Sequence, residues 1–215
     1  MKIIAHRGCS KLYGDNNMES YRQALRKGCY AIEMDVCITR DSVLIMEHNN
    51  VDKYGGGSVH DRDLAPDDLK LETVFLEFWN HAIRFILDIK DSRVDSNICE
   101  KILELCVTYN VLDRCILASF NENHLRDICC IENQTGLLIQ KALATSNLHE
   151  DLFTRSIERF GLNHIIVCKF QVNPRVVSNC HEMGVFVYVY TCNTEGLYDY
   201  AKSIGCDGII TDNIW

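Results

Sequence analysis

Four short segments of this chain concentrate side chains that can move protons and hold ions. His6-Arg7-Gly8 closes one apolar run, Glu33 and Asp35 stand two apart in a second, Glu47-His48 ends a third, and Asp88 and Lys90 stand two apart at the end of a fourth. In an extended strand a spacing of two puts side chains on one face, so Glu33 joins Asp35 and Asp88 joins Lys90. Inward-facing charges are costly to bury unless they are paired or bound to a metal. The chemistry that these types suit is phosphodiester cleavage. Glu33, Asp35 and Asp88 offer hard oxygen ligands for Mg²⁺ or Ca²⁺, which would neutralise a phosphate oxygen. Arg7 and Lys90 suit the remaining anionic oxygens. His6 and His48 can divide the proton work, because an unperturbed imidazole titrates near neutrality.

Such residues need a scaffold that brings four segments to one end. The pattern along the chain is a short β-rich run followed by an amphipathic stretch, repeated to the C-terminus. Strands are expected near 3–6, 31–36, 43–47, 85–90, 115–120, 136–140, 165–169, 185–191 and 208–211. Helices are expected near 18–27, 71–80, 94–110, 122–131, 149–160, 174–183 and 195–204. Strands alternating with helices imply parallel pairing, since a parallel connection needs a crossover of a dozen or more residues. About eight such units predict a (β/α)8 TIM barrel, with a doubly wound open sheet as the alternative. In a barrel the reactive residues lie at strand C-termini, where the four segments fall. One connection breaks the alternation, because between Val36 and Val43 there is no room for a helix. An extended return of six or seven residues spans roughly 20 Å, enough to run down the outside of a barrel and re-enter. Nine strand candidates then compete for eight barrel positions.

Composition narrows the function class. The chain has 215 residues, 47% hydrophobic and 24% charged, as expected for a globular protein. Two prolines and no Gly/Ser linker favour one continuous domain, 1–215. A net charge of −8 argues against a nucleic-acid partner. No apolar stretch reaches the ~20 residues of a membrane span, and the N-terminus meets His6-Arg7 too soon for a signal-peptide core. A cytoplasmic location is expected, and with it reduced, structural thiols for the 12 cysteines, among which no C-x-x-C occurs. His60, His81, His124, His149, His164 and His181 are expected at helix and loop positions without a catalytic role. Gly55-Gly56-Gly57 lacks the Lys-Ser/Thr of a P-loop and is expected as a loop over the pocket mouth. Trp79 is expected to pack on its helix, Trp215 to cap the barrel or contact substrate, and Lys169 is a weaker candidate phosphate contact. No Gly-x-Ser-x-Gly elbow is present, which argues against serine-hydrolase chemistry.

Taken together, the motifs resemble a known family, the glycerophosphodiester phosphodiesterases. Ala5-His6-Arg7-Gly8, Ile32-Glu33-Met34-Asp35-Val36 and Thr39-Arg40-Asp41 leading to Glu47-His48 follow its signature in order and spacing. Leu87-Asp88-Ile89-Lys90, Ser119-Phe120, Tyr190-Thr191-Cys192-Asn193 and Gly208-Ile209-Ile210-Thr211-Asp212-Asn213 match its later landmarks. The resemblance implies a phospholipase-C-like phosphodiesterase barrel that hydrolyses glycerophosphodiesters to sn-glycerol 3-phosphate and an alcohol. It implies His6 and His48 as the acid/base pair, Glu33, Asp35 and Asp88 as ligands of Mg²⁺ or Ca²⁺, and Arg7 and Lys90 as phosphate-binding residues. Two positions depart from the family pattern. Gly14-Asp15-Asn16-Asn17 stands where many members have Pro-Glu-Asn-Thr, and Asp88 where most have Glu. The shorter arm at 88 is expected to alter metal preference. Alternative readings are a phospholipase D-like activity on lysophospholipid or sphingomyelin, and a non-catalytic phosphodiester-binding relative.

Overall fold

The computed structural model describes residues 1–48, 58–90, 97–146 and 150–214. Strands β1 (Lys2–His6), β2 (Ala31–Ile38), β4 (Arg84–Ile89), β5 (Cys115–Ser119), β6 (Gln140–Thr145), β7 (His164–Cys168), β8 (Phe186–Tyr190) and β9 (Gly208–Thr211) pair in parallel around a closed ring. The ring closes where β1 meets β2 (Ala5 opposite Ile32) on one side and β9 (Ile4 opposite Ile210) on the other. This is the expected TIM barrel, not the open sheet.

The surplus strand is β3 (Leu44–Met46), the only antiparallel one among the described residues. It does not run down the barrel and re-enter as expected. It folds straight back on the end of β2, with Val36 opposite Met46 and Ile38 opposite Leu44. The reason lies in length: β2 outlasts β1, whose register ends with His6 opposite Glu33. The β2 edge that β1 leaves bare takes β3 instead, so its backbone groups are paired rather than orphaned.

Helices α1 (Ser10–Tyr13), α2 (Met18–Arg26), α3 (Leu71–Phe78), α4 (Ile98–Thr108), α5 (Glu122–Thr135), α6 (Glu150–Phe160), α7 (Pro174–Glu182) and α8 (Glu195–Ser203) occupy the connections. Their starts are set by side-chain caps: Asn17, Asn121, Asn173 and Thr194 each accept a hydrogen bond from a first-turn backbone N–H. Val94, His149, Gly55-Gly56-Gly57 and Trp215 lie outside the described residues.

One strand is displaced from its expected position. The most apolar run, Leu137-Leu138-Ile139, predicted a strand over 136–140, whereas β6 begins at Gln140. Gly136 adopts the left-handed conformation (φ 71°) that ends α5, its N–H bonding the Glu132 carbonyl. The apolar run is therefore the connector, and Leu138 is exposed. Along β6, Lys141 faces outward and pairs with Glu132 of α5, while Ala142 and Ala144 face the barrel axis.

Alternation separates two environments. Outward-facing residues such as Ile32, Met34, Phe85 and Leu87, and across the barrel Ile165, Val167, Val187 and Ile209, pack beneath the helices. Ile4, Ala31, Ile86, Ile116, Ala118, Ala142, Ala144, Ile166, Tyr188 and Ile210 fill the interior. The three alanines of β5 and β6 leave one wall of the barrel thin.

The base of the barrel holds His164, which starts β7 and so is a strand residue, contrary to expectation. Its ring stacks 5.4 Å from Phe186 and lies 5.2 Å from Tyr188, and its buried Nδ1 has no hydrogen-bond partner among the described residues. Lys2 Nζ sits 4.6 Å from the centroids of both Tyr30 and Phe186. Burial, then the Lys2 charge, pulls the His164 pKa down to about 4, with Arg84 adding and Asp207 opposing. The unfolded chain therefore binds a proton that the folded one refuses between pH 6.5 and about 4. Stability from this site is complete above pH 6.5 and falls as pH drops through that window. The loss is expected to reach roughly 3 kcal/mol, and His164→Phe should flatten this part of the urea-midpoint profile against pH.

Candidate active site

The C-terminal ends of the strands surround a cleft enclosing about 570 Å³, part of it open to solvent. Its lining includes all seven residues singled out from the sequence, namely His6, Arg7, Glu33, Asp35, His48, Asp88 and Lys90. Ile86, Phe120, Ala144, Ile166, Tyr190, Thr191 and Ile210 complete the wall. His48 arrives differently from the others. It follows β3, and the hairpin return, rather than a barrel strand, brings it to the cleft.

The turn after β1 is built for its side chains. Arg7 (φ 54°) and Gly8 (φ 85°) both take left-handed conformations. A Cβ on Gly8 would meet the Ser20 backbone carbon at 2.8 Å, so only glycine fits there. The resulting turn aims the Arg7 N–H at Glu33 Oε2 (3.0 Å) and its guanidinium at Asp35 (3.0 Å) and Asp15 (2.7 Å). Asp15, one methylene shorter than glutamate, reaches Arg7.

Glu33, Asp35 and Asp88 are all buried, with carboxylate oxygens within 4.8 Å of one another. Asn16 donates to Asp35 Oδ2 (2.8 Å), while Lys90 Nζ lies 3.2 Å from Asp35 and 2.6 Å from Asp88. Burial, followed by the charge of Asp35, pushes the Glu33 carboxyl well above its ordinary range. Burial raises Asp88 to about 6, against the pull of Lys90. Asp88 Oδ1 is buried and has no hydrogen-bond partner among the described residues. Three crowded carboxylates with a spare oxygen are a donor set suited to a hard divalent cation, which would relieve the repulsion that raises these groups. The acidic cluster fits a metal ion.

Four contributors were not assigned a role from the sequence, namely Asp212, Ser10, Asn193 and Asn16. Asp212, just past β9, lies 2.5 Å from His6 Nδ1 through Oδ1. It accepts from Ser10 Oγ on the same oxygen (3.1 Å) and from Asn193 Nδ2 on Oδ2 (2.6 Å). Burial would raise Asp212, but hydrogen bonds from His6, Asn193 and Ser10 outweigh it and hold the carboxyl down to about 2. Burial also pulls the His6 imidazole down, yet Asp212 and the Glu33 charge carry it above its ordinary value. Asn16 is the fourth, its Oδ1 accepting from Tyr21 Oη while its amide holds Asp35. The strand-end rule that singled out His6 applies equally to Asp212, one residue beyond a terminal strand. Asn16 and Asn193 lie in loops and carry no comparable signal.

Other candidates stay outside the cleft. Lys169 Nζ lies 5.2 Å over the Phe170 ring. Trp79, expected to pack on its helix, is 65% exposed at the end of α3, which leads toward the opposite, N-terminal end of the strands. His60 and His124 are buried on Ile38 O and Ser119 Oγ, respectively, and His181 pairs with Asp207. The 12 cysteines are free thiols. Among the described residues no helix is long and apolar enough to cross a membrane.

The model of the glycerophosphoryl diester phosphodiesterase family matches residues 6–215. A glycerophosphodiester phosphodiesterase of Caldanaerobacter subterraneus subsp. tengcongensis is 27% identical, covering 98% of this chain and 93% of that protein. One from Bacillus altitudinis is 28% identical, covering 98% of this chain and 94% of its own length. Among solved structures, an Oleispira antarctica phosphodiesterase in complex with the product sn-glycerol-3-phosphate superposes with a TM-score of 0.88. It shares 18% identity, with 99% of this chain and 93% of that one covered.

Proposed function

Since the chain belongs to the glycerophosphoryl diester phosphodiesterase family and is a phosphoric diester hydrolase, we propose that it cleaves glycerophosphodiesters to sn-glycerol 3-phosphate and an alcohol with the help of a divalent cation. One barrel domain, 1–215, carries out the reaction. The observation that carries this reading is the meeting of two imidazoles, two fixed cations and three buried carboxylates in one cleft.

Glu33, Asp35 and Asp88 would hold the cation, Mg²⁺ or Ca²⁺. It would supply Lewis-acid neutralisation of a phosphoryl oxygen. Arg7 and Lys90 take the other phosphoryl oxygens. Both are already held by Asp35 before any substrate arrives, at 3.0 and 3.2 Å, so their donors need little reorganisation as charge builds in the transition state. His6 and His48 share the protons. One imidazole takes the proton of the attacking hydroxyl, and the other returns one to the departing alkoxide. Phe120 and Tyr190, packed edge to face at 5.9 Å, offer an apolar wall that limits water around the phosphoryl group.

The test is release of glycerol 3-phosphate from glycerophosphocholine and glycerophosphoethanolamine with Mg²⁺, Ca²⁺ or EDTA. Release that needs a metal and stops in EDTA is the expected result. Cleavage of lysophosphatidylcholine or sphingomyelin alone would transfer the site to the phospholipase D-like reading. Binding without cleavage of any of these substrates would leave a phosphodiester-binding protein.

A further inference from the structure

We infer that Asp212 is a positioning residue that fixes His6 with its hydrogen on Nδ1, so that all proton exchange with substrate runs through Nε2. The inference rests on the proposed hydrolysis for its consequence, but not for its geometry. An ionised carboxylate has no hydrogen to give, so the 2.5 Å contact between Asp212 Oδ1 and His6 Nδ1 requires the ring nitrogen to be the donor. Asp212 is kept in that role by other donors. Ser10 Oγ reaches Oδ1 at 3.1 Å, and Asn193 Nδ2 reaches Oδ2 at 2.6 Å. Asn193 is itself aimed, because its Oδ1 accepts from the Asp212 backbone N–H (2.9 Å) and from Thr211 Oγ1 (3.1 Å). Only one orientation of that amide satisfies all three contacts, since a reversed Asn193 would point a hydrogen at the Asp212 backbone N–H and its oxygen at the Asp212 carboxylate.

The ring is thereby pinned from the far end of the chain. β9 is hydrogen-bonded to β1, which sets the residue after β9 beside the last residue of β1. With Nδ1 engaged, rotation of the imidazole would break a charge-assisted bond, and Nε2 is the nitrogen left for the substrate. His6 therefore works as half of a carboxylate–imidazole dyad.

Two measurements test this on the full chain. The ¹⁵N shifts of His6, assigned by comparison with His6→Gln, are followed upward in pH until they stop changing, so that the neutral ring is read although Asp212 and Glu33 raise its pKa. The expected pattern is protonated Nδ1 and bare Nε2 in the wild type, lost or mixed in Asp212→Asn. In steady-state kinetics Asp212→Asn should lower kcat at least ~10-fold and up to about 10⁴-fold, the loss known when the carboxylate that orients a catalytic imidazole is replaced by its amide. KM should stay within about threefold, because orientation of the proton carrier is felt in turnover rather than in ground-state binding.

A protonated Nε2 in the wild type would overturn the inference, as would an unchanged kcat in a folded Asp212→Asn. A rise in KM with kcat preserved would make Asp212 a binding residue instead. The tautomer is read in the unaltered protein, so misfolding of the variant leaves the inference open to refutation. If the wild type releases no glycerol 3-phosphate, the proposed reaction fails while the tautomer still decides the placement of Asp212.

Discussion

Replacement of either His6 or His48 by alanine is expected to lower kcat by roughly 10² to 10⁴, the usual span for a positioned general acid or base. The two imidazoles approach the cleft from different elements, His6 from the end of β1 and His48 from the loop after β3. Neither lies in the apolar layers that hold the barrel together, so circular dichroism and the melting temperature should change little. In His6→Ala, Asp212 keeps Ser10 and Asn193 as donors and is not left as an unpaired buried charge. Added imidazole should restore part of the activity of His6→Ala if the ring acts through its nitrogen alone. A folded variant at either position with near-normal turnover would remove that histidine from the mechanism.

Asp35→Asn should have an effect of comparable size, with a loss of turnover of roughly 10³ and of the cation's effect on stability. Asp35 is the central residue of the site, within 3.2 Å of Lys90, 3.0 Å of Arg7 and 2.8 Å of the Asn16 amide. The substitution has opposed consequences in the metal-free protein. It removes a counter-charge from Arg7 and Lys90, which alone would cost about 3–5 kcal/mol. It also relieves the repulsion that raises Glu33, for which Asp35 is the largest contributor after burial. The net change in the melting temperature without metal should therefore be small. With Mg²⁺ in excess the wild type should melt higher than in EDTA, by mass action on the folded state. Asp35→Asn should show no such rise. A variant that retains both the metal-dependent rise and the turnover would rule out the acidic cluster as the cation site.

Residue patterns reveal the chemistry of this protein more readily than its geometry. Glu33 and Asp35 were legible as a same-face pair because a strand has a period of two, and the alternation of strands and helices pointed to a parallel barrel because parallel strands need crossovers. Both follow from local periodicity, which short windows of sequence carry. The displaced β6 shows where that stops. Leu137-Leu138-Ile139 is the more apolar run, yet the left-handed Gly136 ends α5 there and Ala142 and Ala144 take the interior positions, because a barrel wall selects for size as well as hydrophobicity. The surplus strand was undecidable for a similar reason. Whether β3 enters the ring depends on how far β2 outruns β1, a relation between elements that neither segment contains.

By itself the sequence pointed to the class of fold and to seven of the side chains that line the cleft. Tertiary structure decided what holds them. The contact between Asp212 and His6 joins residues at opposite ends of the chain, which meet only because the last strand of the ring closes on the first. The burial that raises Glu33 likewise exists only once β1, β2 and β4 lie side by side. Residue types are written locally, whereas the partners that tune them are set by ring closure, and no local pattern encodes a distance between strands.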